Sequence, residues 1–92
     1  MDVRWSPEAA DDLERITRRI RDDNPQAARE LASAIYDGCA SLTTFPNRGR
    51  AGRLTGTREL LFPSHSSYIA VYRVTAHAVE IARIWHVARE RP

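Results

Sequence analysis

Asp22-Asp23-Asn24-Pro25 constrains this chain more than any other segment, because it separates two apolar stripes with helical spacing. Before it, Ala9, Leu13, Ile16 and Ile20 recur at intervals of four, three and four, so they share one helix face. After it, Leu31, Ala34, Ile35, Gly38, Cys39 and Leu42 fall at i, i+3, i+4, i+7, i+8 and i+11, a second and nearly ideal stripe. Pro25 disfavours helix at Asn24, and the Asn24 side chain can cap the new amino end. A helical hairpin is the predicted result. Its first helix starts at Ser6-Pro7-Glu8, where Ser caps free N–H groups, Pro suits the first turn, and Glu8, Asp11 and Asp12 favour the positive helix end. Arg15, Arg18, Arg19 and Asp22 then fall on the solvated face. Phe45-Pro46-Asn47 closes the second helix.

The rest of the chain reads as sheet. Met1 to Trp5 predicts a short first strand, with Val3 and Trp5 flanking the polar Arg4. Residues 46 to 57 carry three glycines and three arginines without apolar periodicity, so they read as a connection rather than an element. Arg58 to Phe62, Ser67 to Val74 and Val79 to Val87 are strand-like runs, rich in β-branched and aromatic residues. Thr75 to Ala78 links the last two as a hairpin. Strict alternation puts Val79, Ile81, Arg83, Trp85 and Val87 on one face of the last strand and Glu80, Ala82, Ile84 and His86 on the other. Both faces mix apolar and polar residues, which predicts a central strand. Arg83 and His86 fall on opposite faces unless a bulge intervenes. The order β-α-α-β-β-β predicts an α+β domain, with the hairpin packed on one face of a curved, mostly antiparallel sheet.

Ninety-two residues, 42% of them hydrophobic and 28% charged, suit one globular domain over 1–92 and leave no room for a second. No run approaches the ~20 apolar residues that span a bilayer, and the polar amino terminus is unlike a signal peptide, so the expected location is the cytoplasm, away from membranes. Cys39 is the only cysteine, which excludes an internal disulfide or a cysteine-based zinc cluster within one chain. Its place in the second stripe makes it a packing residue. Charge is uneven: residues 1–46 hold six Arg against nine acidic residues, and residues 47–92 hold eight Arg against three Glu. The basic half predicts an acidic partner, either nucleic acid or polypeptide. All fourteen basic residues are Arg, which suits bidentate recognition of phosphate or carboxylate and equally fits a genome rich in G and C.

The glycines form neither GxGxxG nor a Walker loop, so no nucleotide cofactor is expected. His65, His77 and His86 lie twelve and nine residues apart without paired carboxylates, which predicts no metal. What remains is a set of Arg residues with one late His: Arg48, Arg50, Arg53, Arg58, Arg73, Arg83, His86 and Arg89. Arg can hold phosphate and stabilise developing negative charge, and His can transfer protons near neutrality. The same set also reads as a solvated basic surface.

Trp5-Ser6-Pro7-Glu8-Ala9 with Asp12-Leu13, Asn24-Pro25, Phe45-Pro46 with Gly49-Arg50, Arg58-Glu59-Leu60, Tyr68 to Val74, and Ile81 to His86 with Arg89 together resemble the RelE/ParE superfamily of type II toxin–antitoxin toxins. The resemblance spans nearly the whole chain. Ile84 to Arg89 and Gly56 to Leu60 look most like the ParE branch. It implies a bacterial toxin held inactive by a cognate antitoxin in a hetero-oligomer, with operator DNA bound only through the antitoxin. ParE-like members poison DNA gyrase, a role associated with plasmid stabilisation and growth inhibition. RelE-like members cut messenger RNA at the ribosome, usually with a C-terminal Tyr and with Lys residues. This chain has no Tyr after His86 and no Lys. The leading expectation is therefore a gyrase inhibitor that works by binding, with Arg50, Arg53, Arg58, Arg73, Arg83, His86 and Arg89 as target contacts. The alternative is a metal-independent endoribonuclease using Arg58, His86 and Arg89. A third reading is an interaction module that only represses its own operon.

Overall fold

The structure is a computed structural model describing residues 1–92. Its elements are β1 (Asp2–Trp5), α1 (Pro7–Asp23), α2 (Pro25–Ala40), a 3-10 turn (Ser41–Thr43), β2 (Arg50–Ala51), β3 (Arg58–Leu61), β4 (Tyr68–Val74) and β5 (Ala78–His86). The strands form one sheet in the order β1-β5-β4-β3-β2. β1 runs parallel to β5, and all other neighbours are antiparallel. This is the expected α+β architecture, and β5 is an interior strand as its mixed faces required.

Both helices start where their caps place them. Ser6 Oγ accepts from the Ala9 N–H at 3.0 Å, and Asn24 Oδ1 accepts from the Ala27 N–H at 3.1 Å. Asn24 also ends α1, its N–H donating to Ile20 O at 2.8 Å, so one residue makes the hairpin corner. The helices pack on one face of the sheet. Ala9 and Ile16 of α1 meet Leu31, Ile35 and Cys39 of α2 over Leu60, Ala70, Tyr72, Ile81 and Ile84 of the sheet. Cys39 is fully buried, and burial pushes its thiol up to about 12, so it is inert packing. A smaller cluster of Ile69, Val71 and Trp85, with Val87 against it, lies on the far face.

Two expectations are corrected. The segment 46–57 is not purely a connection: Arg50 and Ala51 form β2, opposite Glu59 and Arg58. Two residues carry no readable period, and their strand exists only because β3 offers a partner. The second correction concerns β5, where strict alternation fails. Val71 faces Arg83 but Tyr72 faces Ile81, so Ala82 is an extra, bulged residue. Val79, Ile81 and Ile84 therefore share the helix-side core, while Trp85 joins the far-face cluster. The bulge exchanges the faces of Arg83 and His86 without bringing them together. It sits where β1 ends and the chain turns into α1: the Ser6 N–H donates to Ile81 O and the Ser6 hydroxyl to Ala82 O, both at 2.9 Å.

Beyond Ile81, β5 has lost β1 as a partner, and its open edge needs other acceptors. Asp12 Oδ2 of α1 takes the Ile84 N–H at 3.0 Å, and Glu90 Oε1 takes the His86 N–H at 2.9 Å. Two side chains thus finish the ladder that β1 starts.

Candidate functional site

The structure scatters the predicted arginines into five surroundings. On the far face, Glu59 is buried, with 2% of its surface exposed. Arg50 approaches its carboxylate at 3.3 Å and Arg91 at 3.1 Å, and the Arg53 N–H donates to it at 3.3 Å. The Arg53 guanidinium meanwhile donates to Pro92 O at 2.8 Å. Arg50 and Arg53 therefore tie loop, sheet and carboxy terminus around a buried acid.

Arg58 is engaged elsewhere. Its Nη1 donates to Gly49 O at 2.7 Å and Asn47 O at 3.3 Å. The same loop is pinned by Tyr72, whose hydroxyl donates to Pro46 O and accepts from the Gly49 N–H, both at 2.8 Å. Arg58 pairs in register with Tyr72 and His86 with Tyr68. Four residues along β4 separate them by about 13 Å, and two strand spacings add about 10 Å across the sheet. With its side chain held on the loop carbonyls, Arg58 does not join His86 and Arg89 in one cleft.

Arg83 projects on the far face, its guanidinium 5.5 Å from the Trp85 ring centre. It bends around the open edge of β5 to grip Asp12, with Nε–Oδ2 at 2.8 Å and Nη2–Oδ1 at 3.0 Å. Burial alone would raise the Asp12 pKa. The hydrogen bonds from Arg83 and the Ile84 N–H, with the charge of Arg83 and a bond from Arg15, outweigh it and hold the carboxyl below its ordinary value. Arg73 is exposed and free of hydrogen-bonded or ionic partners.

His86 and Arg89 do come together, in a cleft of about 430 Å³ between α1 and the end of β5. Arg15, Arg19, Tyr68 and Glu90 line it with them. The His86 and Tyr68 rings meet edge to face, with centroids 5.2 Å apart at 85°. Glu90 bridges the walls, accepting the His86 N–H on one oxygen and Arg15 Nη2 at 2.6 Å on the other. Arg15 also reaches Asp12 at 3.2 Å, so Arg83, Asp12, Arg15 and Glu90 form one continuous ionic chain behind the cleft. His86 Nδ1 is buried without a partner, which leaves Nε2 as the nitrogen available to the cleft.

Arg15 and Arg19 lie on the solvated face of α1 as expected, both exposed, and from there they also line the cleft. Their spacing of four did place them on a common face, but what they face, His86 and Glu90, lies some seventy residues further along the chain. No three His, Cys, Asp or Glu side chains gather as a metal-ligand set.

Known proteins are similar to this chain in sequence and architecture. The family model described as the ParE toxin of the type II toxin–antitoxin system parDE matches residues 3–91. The protein Y4kP of Sinorhizobium fredii is 33% identical over 90 residues, covering 98% of this chain and 92% of that protein. Toxin RelE1 of Caulobacter vibrioides is 34% identical over 87 residues, covering 94% and 92% respectively. Among solved structures, a chain of the chromosomal ParDE system from P. aeruginosa superposes with a TM-score of 0.83 at 26% identity, covering 95% of this chain and 96% of that one.

Proposed function

Since this chain belongs to the ParE family of type II toxin–antitoxin toxins, we propose that it acts as a ParE-like inhibitor of DNA gyrase. It does so by binding rather than by covalent chemistry. The observation that carries this reading is the separation of Arg58 from His86 and Arg89: a nuclease built on those three needs them around one phosphate, and Arg58 is spent on loop carbonyls. What the chain presents instead is a set of exposed cations on the sheet, on α1 and on the turn after β5, suited to steering and holding a large partner. The high structural similarity to a ParDE chain supports the same reading. Family membership implies a cognate antitoxin, which on this account covers the exposed cations with acidic residues and carries the complex to operator DNA. Expression without antitoxin is expected to give filamentous cells with double-strand DNA breaks and intact messenger RNA. Arrested cells with intact chromosomes and shortened transcripts would overturn the reading.

One observation favours a second reading, an endoribonuclease of RelE type: the cleft holds His86 beside Tyr68 and Arg89, and one relative carries the name RelE1. That activity would survive a chelator and vanish in His86→Ala with the fold intact.

A further inference from the structure

The fourteen guanidinium groups are unequally occupied. Ten hold a carboxylate, carbonyl, hydroxyl or amide oxygen, and only those of Arg4, Arg19, Arg73 and Arg89 have no such partner. Arg19 and Arg89 line the same cleft, from opposite walls: Arg19 from α1 and Arg89 from the turn after β5. Two further donors there are unclaimed, the Tyr68 hydroxyl and His86 Nε2. The burial of Nδ1 without a donor or acceptor favours the tautomer with its proton on Nε2, because an orphaned buried N–H costs more than an unused lone pair. The acids in the lining do not cancel these charges. Glu90 is consumed by Arg15 and the His86 N–H, which leaves Asp23 as the one unpaired carboxylate against two unpaired guanidinia.

We propose that this cleft is a phosphate-binding site, with Arg19 and Arg89 holding the anion from two sides and His86 Nε2 and the Tyr68 hydroxyl completing its shell. Phosphate fits better than carboxylate: a carboxylate offers its oxygens in one plane, whereas tetrahedral phosphate presents oxygens to both walls at once. A volume of about 430 Å³ lies in the range of small-ligand sites and exceeds what a bare anion fills, so the phosphate belongs to a nucleotide, either free or part of a strand. The network behind the cleft supplies rigidity, since Glu90 and Arg15 fix the strand end that carries His86. The proposal rests on reading the cleft as a contact surface and not on gyrase as its target.

The test is a nuclear magnetic resonance titration of the full chain at about 0.15 M salt, where exposed charges more than ~8 Å apart are screened. The probes are inorganic phosphate, 5′-adenosine monophosphate and a short oligothymidylate, and the readout is the ring protons of His86 and Tyr68. Saturable shifts are expected, with the dissociation constant raised at least about tenfold by Arg19→Gln and by Arg89→Gln and unchanged by Arg4→Gln, an exposed and equally unpartnered cation outside the cleft. Tighter binding of the strand than of the mononucleotide assigns the site to nucleic-acid backbone, and the reverse assigns it to a free nucleotide. The absence of saturable shifts with all three probes would overturn the proposal, as would an equal loss in Arg4→Gln. Neither result touches the gyrase reading, because no gyrase is in the experiment.

Discussion

Asp12 shows how much one residue can carry in a chain this small. It has 4% of its surface exposed, yet it stays ionised because Arg83, Arg15 and the Ile84 N–H all donate to its two oxygens. Since its folded pKa lies below its unfolded one, its contribution to stability is present above the unfolded value of about 3.9 and is lost as pH falls through the lower folded value. Asp12→Asn is expected to cost about 2 kcal/mol at neutral pH, discounted because Arg83 is partly exposed, and to flatten the loss of stability below about pH 4. Urea unfolding of both proteins between pH 3 and 7 measures this; equal slopes would contradict it. Glu59 offers a second comparison. Its partner Arg91 has 13% of its side chain exposed and Arg50 has 50%. Arg91→Gln is therefore expected to cost about 2 kcal/mol, since it strips a buried acid of its sheltered partner, and Arg50→Gln under about 1 kcal/mol. The order of the two denaturation midpoints decides the matter.

At the scale of elements, the helices were legible because their signals are local. Ser6 and Asn24 bond to N–H groups three residues away, and the apolar stripes repeat within a turn. What stayed hidden depends on distant partners. β2 exists because of β3, and the Ala82 bulge marks the point where β1 leaves β5. Arg15 is exposed as its helix position predicts, but its ion pair stayed hidden because Glu90 lies seventy-five positions away. The same distance effect divided the predicted site: His86 and Arg89 did meet, whereas Arg58 was drawn to the loop carbonyls and Arg83 to Asp12. Gly38 shows where local propensity is overruled by packing. In an isolated helix Gly→Ala gains about 1 kcal/mol, but a Cβ at Gly38 would lie 2.6 Å from Phe62 Cε1, and Phe62 is itself buried. Overpacking of this kind costs about 1–3 kcal/mol, so Gly38→Ala is expected to destabilise by about 1 kcal/mol net. A rise in thermal midpoint would show that Phe62 yields more easily than its burial suggests.

For the whole molecule, the uneven charge of the two halves acquires a spatial meaning. Many arginines of the basic half also serve the fold, Arg50, Arg83 and Arg91 on carboxylates and Arg53 and Arg58 on backbone oxygens, but with only Glu59 and Asp12 answering them the half keeps its positive excess. Four guanidinium groups have no hydrogen-bonded or ionic partner, those of Arg73 and Arg89 from that half and of Arg4 and Arg19 from the acidic half. Composition located the basic half, in which Arg48, Arg50, Arg53, Arg73 and Arg89 are exposed, but it could not tell which arginines the fold already engages. No helix is long and apolar enough to cross a membrane. The central claim, that this toxin acts by binding gyrase rather than by cleaving RNA, is tested most directly with purified components. Supercoiled plasmid, DNA gyrase and ATP are incubated with toxin freed of its antitoxin, and cleaved DNA is counted after denaturation of the enzyme. The account predicts that linear DNA accumulates with toxin concentration and that added antitoxin abolishes it. Unchanged gyrase activity at saturating toxin, with growth arrest still seen in cells, would contradict it.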